Sequence, residues 1–202
     1  MNLKNRLSNT KTVRRMVEFN RIAEIDALAR RYFTLNSFDG ILTTVAILLA
    51  NFFADVTLRS IIVTSSIGAA TAVAISGFYG AYITEKAERM GKIRKLENTI
   101  GLRLTKTQFE EAHTFAILAL ALIEGLSPFI ISSLIVLPFF IMDSIEGAYY
   151  SAFSIAGLAL FLLGIFLGKI SKENLILSGI KMFIVGVVCT ITVIIVEHLF
   201  RF

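Results

Sequence analysis

The sequence predicts an all-α membrane protein with five transmembrane helices, a cytoplasmic N-terminus and a C-terminus on the opposite side of the membrane. Hydrophobic residues make up 55% of its 202 residues, and the mean hydropathy is +0.75. Soluble domains typically have an apolar fraction of about 45–50%, counted with glycine. The basic residues also fall between long apolar runs instead of being spread along the chain. Both observations predict a polytopic bundle in a lipid bilayer.

Residues 1–31 precede the first apolar run and carry eight Lys or Arg. Apolar residues recur among these charges at roughly helical spacing, which predicts a cytoplasmic amphipathic helix on the membrane surface. A solvated, partly ordered tail is the alternative. The segment has no short apolar core followed by a small-residue cleavage site, so we expect no removable signal peptide.

Five apolar runs fill the remaining residues, 32–202, at positions 32–54, 60–84, 113–142, 147–168 and 174–196. A helix of about 20 residues, rising about 1.5 Å per residue, crosses the hydrocarbon core, so each run is long enough to span. The third run is longer than one crossing requires. Because proline interrupts a helix, we expect a break near Ser127 and Pro128. Residues 85–112 are predicted to form a cytoplasmic helical loop.

The distribution of positive charge predicts the orientation. Seventeen Lys or Arg lie in segments that would be cytoplasmic, and two, Arg59 and Arg201, would lie outside. Basic residues accumulate in cytoplasmic loops, so this bias places the N-terminus inside. No targeting segment is visible, which favours a prokaryotic plasma membrane over an organelle. Because the charge is confined to these loops, no nucleic acid partner is expected.

The number of spans bears on the oligomeric state. Five helices cannot be divided into two equal inverted halves, so a symmetric pathway would require a second copy of the chain. Small residues that permit close helix packing are frequent in the second and fourth runs, for example Gly68, Ala72, Gly80, Gly157 and Gly164. We therefore predict a homodimer in the lipid bilayer.

Acidic and polar side chains inside the apolar runs are the main candidates for function. Asp39, Thr43 and Asn51 form a polar stripe in the first run, and Glu124 lies near the middle of the third. A charge at this depth costs about 2.5–3.5 kcal/mol on insertion scales, so such residues are functional candidates. Their oxygens suit a hard divalent cation. We predict that these four residues line a transport pathway, with Asp39 and Glu124 as metal ligands.

Lys181, inside the fifth run, allows a purely structural interpretation. It could neutralise Asp39 or Glu124 in an internal salt bridge, or extend its ammonium group to the inner membrane surface.

The loop between the second and third runs contains further candidate metal ligands. Pairs spaced i, i+3 occur at both ends of the loop and would project from one helix face. The candidates are Glu85, Glu88, Glu110, Glu111 and His113. Seven basic residues interleave with them, so a solvated, salt-bridged hairpin is the alternative.

The sequence contains no pattern typical of an enzyme. It has no phosphate-binding loop, dinucleotide fingerprint, zinc-protease helix or serine elbow, and its single cysteine, Cys189, excludes a multi-cysteine metal site. We expect neither enzymatic activity nor a tightly bound cofactor.

Two segments resemble the first two helices of the vacuolar iron transporter family: Asp39-Gly40-Ile41-Leu42-Thr43-Thr44 and Ile75-Ser76-Gly77-Phe78-Tyr79-Gly80-Ala81-Tyr82-Ile83. The resemblance implies a five-span homodimer that moves ferrous iron or manganese out of the cytosol in exchange for protons. It also implies that Asp39 lines the pathway near the dimer axis and that the loop at 85–112 captures metal. Family members usually carry methionine where this chain has Gly77, and often glutamate where it has Ala69.

The sequence therefore predicts a transporter of a divalent metal cation, iron or manganese, that exports the ion from the cytosol with proton exchange as the expected coupling. The two departures from the family pattern leave a second hypothesis open. In that hypothesis the chain is a membrane scaffold or sensor that retains the transporter fold without transporting.

Overall fold

The computed structural model describes residues 18–20, 22–104 and 107–200, and these ranges contain helices and no strand. The helices, in chain order, are α1 (Ile25–Phe53), α2 (Arg59–Ile100), α3 (Gln108–Val136), α4 (Pro138–Ile141), α5 (Ile145–Ser171) and α6 (Leu175–Phe200).

Five of the helices, all except the short α4, are long and apolar enough to cross a membrane. The predicted all-α fold with five potential spans is thereby confirmed, and the composition is that of an integral membrane protein. The positions of the termini relative to the membrane stay a prediction.

The predicted cytoplasmic amphipathic helix at the N-terminus stays a prediction. Residues 1–17 and Arg21, which carry most of it, lie outside the described residues. Helix α1 begins at Ile25, and Glu24 before it has a positive φ of 50°. Three apolar residues on either side of this turn are buried in a cluster with residues of α3. They are Phe19, Ala23 and Ile25, which cluster with Ala112, Ala116 and Leu120.

The predicted break at Ser127 and Pro128 is wrong, because α3 continues through Pro128 to Val136. A proline inside a helix removes one backbone hydrogen bond, here the bond that the carbonyl of Glu124 would otherwise accept. The interruption falls instead at Leu137, and α4 begins with Pro138 in its first turn. Proline is favoured there because the first helical N–H groups have no partner within the helix.

The chain divides into two compact units. The first combines the described residues up to Phe33 with Ser76–Gly125, and the second combines Thr34–Ile75 with the described residues from Leu126 onwards. The core of the first unit is the cluster around Phe19 and Ala116. The second unit has a larger core drawn from α1, α3, α4 and α5, which includes Ile41, Leu48, Ile135, Phe139, Ala152 and Leu160.

Helices α5 and α6 contact each other backbone to backbone in the second unit. A Cβ atom on Gly164 would lie 2.5 Å from the carbonyl oxygen of Ser178 and 2.7 Å from the Cα of Gly179. The turn between the helices is tight, with Lys172 in the left-handed region and the amide of Glu173 donating to the Gly168 carbonyl at 3.0 Å. The glycines of the fourth predicted span therefore serve packing within the chain.

Candidate functional site

The Asp39-to-Thr44 segment of α1 presents two different faces. Gly40 lies against α3 so closely that a Cβ atom there would be 2.7 Å from the Cα of Pro128. The Gly40 carbonyl accepts hydrogen bonds from the hydroxyl groups of Thr44, at 2.7 Å, and Ser132, at 3.2 Å. Gly40 thus forms the contact between α1 and α3, and the hydroxyl of Thr44, which is buried, bonds within α1.

Asp39 lies on the outward face of the same helix turn. Its side chain is exposed, and Thr43, one turn further along, is half-buried. Within the described part of the chain, Asp39 makes no hydrogen bond or ion pair. A carboxylate is therefore displayed on the surface of a helix that is apolar enough to span a membrane.

Asn51, the last predicted pathway residue of α1, connects α1 to α2. Its Nδ2 atom donates to the Ile47 carbonyl at 2.9 Å and to the hydroxyl of Ser65 at 3.2 Å. The side chain is half-buried and its donors are used within the chain.

Glu124 belongs to the first unit and is half-buried on α3. Its side chain passes Gly77 of α2, where an added Cβ atom would lie 3.5 Å from Cγ and 3.4 Å from the Glu124 carbonyl oxygen. That carbonyl is the one deprived of its helical donor by Pro128. The described residues give the Glu124 carboxylate no hydrogen bond or ion pair, although the charge of Glu85 is close enough to interact with it.

The predicted pairing of Lys181 with Asp39 or Glu124 is wrong. The Nζ atom of Lys181 lies 3.8 Å from a carboxylate oxygen of Glu173, and both side chains are exposed. Lys181 thus extends towards the turn that precedes α6, as a lysine stem on an apolar helix often does.

Glu85, predicted as a metal ligand, is committed to protein partners in the first unit. It is 3% exposed, one carboxylate oxygen accepts from the hydroxyl of Tyr32 at 2.6 Å, and the other accepts from Nε of Arg89 at 2.7 Å. A buried carboxylate requires such compensation. This arrangement resembles the salt-bridged alternative more than an open ligand site.

Arg89 extends this buried network to two further elements. Its Nη1 atom donates to the carbonyl of Ala23 at 3.1 Å and lies 3.1 Å from Nδ1 of His113. Because a guanidinium group has no acceptor, Nδ1 must accept, and a neutral imidazole then carries its proton on Nε2. Nε2 is buried and has no partner among the described residues. As placed, His113 offers a metal no free lone pair.

The remaining loop acids are not buried as Glu85 is. Glu88 is exposed, and Glu110 and Glu111 line a groove of about 920 Å³ together with Tyr82, Lys86, Met90, Thr114 and apolar residues of α3. Across the described ranges, no three His, Cys, Asp or Glu side chains are grouped so that they could hold a metal ion. Metal capture by the loop therefore stays a prediction.

Two members of the buried network were absent from the sequence expectations. Arg89 follows Glu85 by four residues, a spacing that places both on one helix face, so this pair was detectable. Nothing in the sequence around Tyr32 distinguishes it from any other aromatic residue at the start of an apolar run.

Comparison with known proteins gives one informative relative. The chain is 38% identical over 157 residues to the uncharacterized protein MJ0645 of Methanocaldococcus jannaschii, a match that covers 75% of this chain and 80% of the relative. No protein-family model matches the chain, and no solved structure matches it.

Proposed function

We propose that this chain, which belongs to the same family as the archaeal protein MJ0645, carries a divalent metal cation across a lipid bilayer. The transported ion is iron or manganese leaving the cytosol, with protons as the exchanged ion. The observation that carries the proposal is the exposed Asp39 carboxylate on α1, which has no hydrogen bond or ion pair within the described chain.

A charge in this position needs a partner from outside the single chain. Leaving a carboxylate against hydrocarbon costs about 2.5–3.5 kcal/mol or more. Two basic residues that lie in or next to an apolar run could balance a charge in the membrane, but both have other partners. Lys181 pairs with Glu173, and Arg59 donates to the carbonyls of Phe139 and Asp143. A divalent cation that moves along the pathway would neutralise the Asp39 carboxylate, and this accounts for an acid at that position.

The exposed face of α2 supports a second copy of the chain as the other wall of the pathway. Every fourth residue from Ser60 to Thr84 is small, and all of them are exposed: Ser60, Thr64, Gly68, Ala72, Ser76, Gly80 and Thr84. Such a row lets two membrane helices approach closely. In a homodimer, two Asp39 carboxylates and the neighbouring Thr43 hydroxyls would supply oxygen ligands that one chain lacks.

Glu124 is the second acidic residue of the proposed mechanism. Its carboxylate has no hydrogen bond or ion pair among the described residues, and Gly77 leaves room beside it. The Glu124 carbonyl, freed by Pro128, adds a further oxygen. In our proposal Glu124 serves as a second ligand or as the carrier of the exchanged proton.

Reconstituted protein tests the proposal directly. Full-length wild type in liposomes containing a metal-sensing dye should accelerate Mn²⁺ or Fe²⁺ entry over empty liposomes. Asp39→Asn should lower the rate at least about tenfold, because the amide keeps the shape and removes the charge that binds the ion. Asp143→Asn, which removes an exposed acid from a connecting segment, is the matched control and should transport like wild type. Equal rates for Asp39→Asn and wild type would refute the proposal.

Metal binding by the purified protein distinguishes the transport proposal from the scaffold or sensor hypothesis. A transporter purified in detergent should bind Mn²⁺ in a manner that depends on Asp39 or Glu124. A scaffold that retains only the fold should show no binding that either Asp39→Asn or Glu124→Gln removes.

A further inference from the structure

A cavity of about 340 Å³ lies in the second unit, where α1 ends and α5 begins. Four aromatic residues line it, Phe52, Phe53, Tyr149 and Tyr150, together with two carboxylates, Asp55 and Glu146. We call this space the aromatic-acidic cavity. Its volume falls within the range of about 300–1,000 Å³ that is usual for small-molecule sites.

The aromatic wall is built around Tyr149, which is buried. The ring of Tyr149 is edge-on to Phe52 at 5.2 Å and to Phe139 at 5.0 Å, and its hydroxyl donates to the Val56 carbonyl at 3.2 Å. Tyr150 lies 6.3 Å from Phe52 and is exposed. The contacts of Tyr149 position its ring and that of Phe52 in the absence of a ligand, which lowers the ordering cost of binding.

The two carboxylates have no counter-charge within the described chain. Both side chains are exposed, and neither carboxylate makes a hydrogen bond or ion pair there. Arg59, the basic residue of the adjoining segments, donates instead to the backbone carbonyls of Phe139 and Asp143. The partial negative charge at the C-terminal end of α1 is offset by the partial positive charge at the N-terminal end of α5. The net negative charge of the cavity therefore comes from the two carboxylates.

The backbone also holds Asp55 at the cavity edge. Its φ of 52° is in the left-handed region, and the amides of Asp55 and Val56 donate to the carbonyls of Phe52, at 3.2 Å, and Asn51, at 3.0 Å. Glycine adopts this helix-ending conformation without strain, whereas aspartate adopts it less readily. An acid at this position is therefore explained better by its side chain than by the turn.

We propose that the aromatic-acidic cavity binds an organic ammonium ion, a methylated or quaternary amine. Aromatic faces attract such a weakly hydrated cation, and the two carboxylates balance its charge. A hard divalent ion fits less well, because it holds its hydration water tightly and therefore gains little from an aromatic wall. The ammonium group could belong to a free solute or to a lipid headgroup. The site is independent of Asp39 and of the proposed transport.

Titration calorimetry on the full-length chain tests this proposal. Purified in a maltoside detergent, which contains no ammonium group, wild type should bind tetramethylammonium and choline. Asp55→Asn and Glu146→Gln should each weaken binding at least about tenfold, since each removes one of two charges. Asparagine tolerates the left-handed turn, so Asp55→Asn should keep the fold. Tyr150→Leu, at a residue that is 62% exposed, should also weaken binding without unfolding the protein.

Two control variants and two membranes complete the experiment. Asp143→Asn and Asp39→Asn should bind choline like wild type, which separates this site from the transport proposal. If choline binds in phosphatidylglycerol nanodiscs but not in phosphatidylcholine nanodiscs, the lipid headgroup is the occupant. Equal binding in both would identify a free solute. Absence of binding by wild type, equal binding by Asp55→Asn and Asp143→Asn, or equal competition by K⁺ would overturn the proposal.

Discussion

Gly40 is a residue at which one methyl group would force two helices apart. A Cβ atom there would lie 2.7 Å from the Cα and 2.9 Å from the carbonyl oxygen of Pro128, and neither backbone atom can move without shifting α3. Overpacking of this kind typically costs about 1–3 kcal/mol. We expect Gly40→Ala to lower the free energy of unfolding in detergent by that amount, as measured by chemical denaturation followed by helicity.

Gly91 supplies the matched control for this substitution. A Cβ atom on Gly91 meets nothing within 4 Å and Gly91 lies outside the row of small residues on α2, so alanine adds no clash and raises helix propensity by up to about 1 kcal/mol. Gly91→Ala should leave stability unchanged or increase it. If both variants were equally stable, Gly40 would not be required for the contact between α1 and α3.

Arg89 is the residue on which the buried network of the first unit depends. Its side chain and that of Glu85 are each 4% exposed, so removing the guanidinium leaves a buried carboxylate with only the Tyr32 hydroxyl. Breaking such a pair from one side typically costs about 3–5 kcal/mol. Arg89→Met should destabilise the protein by that amount in thermal unfolding, whereas Lys92→Met, an exposed charge on the same helix, should have an effect of about 0.5 kcal/mol or less.

The double variant Glu85→Gln with Arg89→Met separates lost charge compensation from lost packing. Neutralising the carboxylate removes the uncompensated charge, so the double variant should be more stable than Arg89→Met alone. A double variant less stable than either single variant would show that the packing of the arginine stem dominates.

At the scale of helices, hydropathy was sufficient to predict where the long apolar helices lie. Each of the five apolar runs corresponds to one long helix, and the third run contains α4 as well. The requirement to satisfy backbone groups in hydrocarbon leaves few alternatives to a helix. The ends were less predictable. Helix α2 continues as a polar helix to Ile100, and α1 begins at Ile25, since helix propensity and packing against α3 extend both beyond the apolar residues.

The candidate site was predictable only in part. Asp39 was identifiable because a carboxylate in an apolar run is expensive, and the structure shows it exposed on α1; its pathway role stays a prediction. The burial of Glu85 in a network was not predictable, because Tyr32, which donates to Glu85, and His113, which contacts Arg89, are both distant from that pair in sequence. The helix break was also misplaced, because Pro128 packs against Gly40, a tertiary contact that composition does not reveal.

The row of small residues on α2 leads to a prediction for that helix. If a second copy packs there, single cysteines at Gly68 or Ala72, in a Cys189→Ser background, should form disulfide-linked dimers in native membranes when mildly oxidised. Close approach of the two backbones is what brings the Cβ atoms within disulfide distance, about 3.5–4.5 Å. Leu158→Cys on α5, which is 58% exposed in the single chain, should not cross-link.

Two cross-linking outcomes would contradict this prediction. Equal cross-linking at Leu158 would indicate random collision in the membrane, and none at Gly68 or Ala72 would place any partner on another face. Gly68→Leu should weaken the dimer as well, because a bulky side chain separates the two helices.

For the molecule as a whole, the distribution of charge predicts the orientation in the membrane, and the direction of the proposed transport is defined relative to it. Seventeen basic residues lie on the side predicted to be cytoplasmic, and the opposite connections carry Asp55, Asp143 and Glu146 against Arg59. The membrane potential and the insertion machinery hold basic segments inside, so the whole bundle should follow this bias. The aromatic-acidic cavity would then open on the external side.

Labelling of intact cells with a membrane-impermeant maleimide measures this orientation. In the Cys189→Ser background, Asp143→Cys should react from outside, and Lys95→Cys, at an exposed residue of α2, should react only after the membrane is permeabilised. The reverse pattern would place the basic loop of α2 outside, because every span would then be inverted. A metal carrier with that orientation would meet cytosolic ions at the Asp143 end of the bundle.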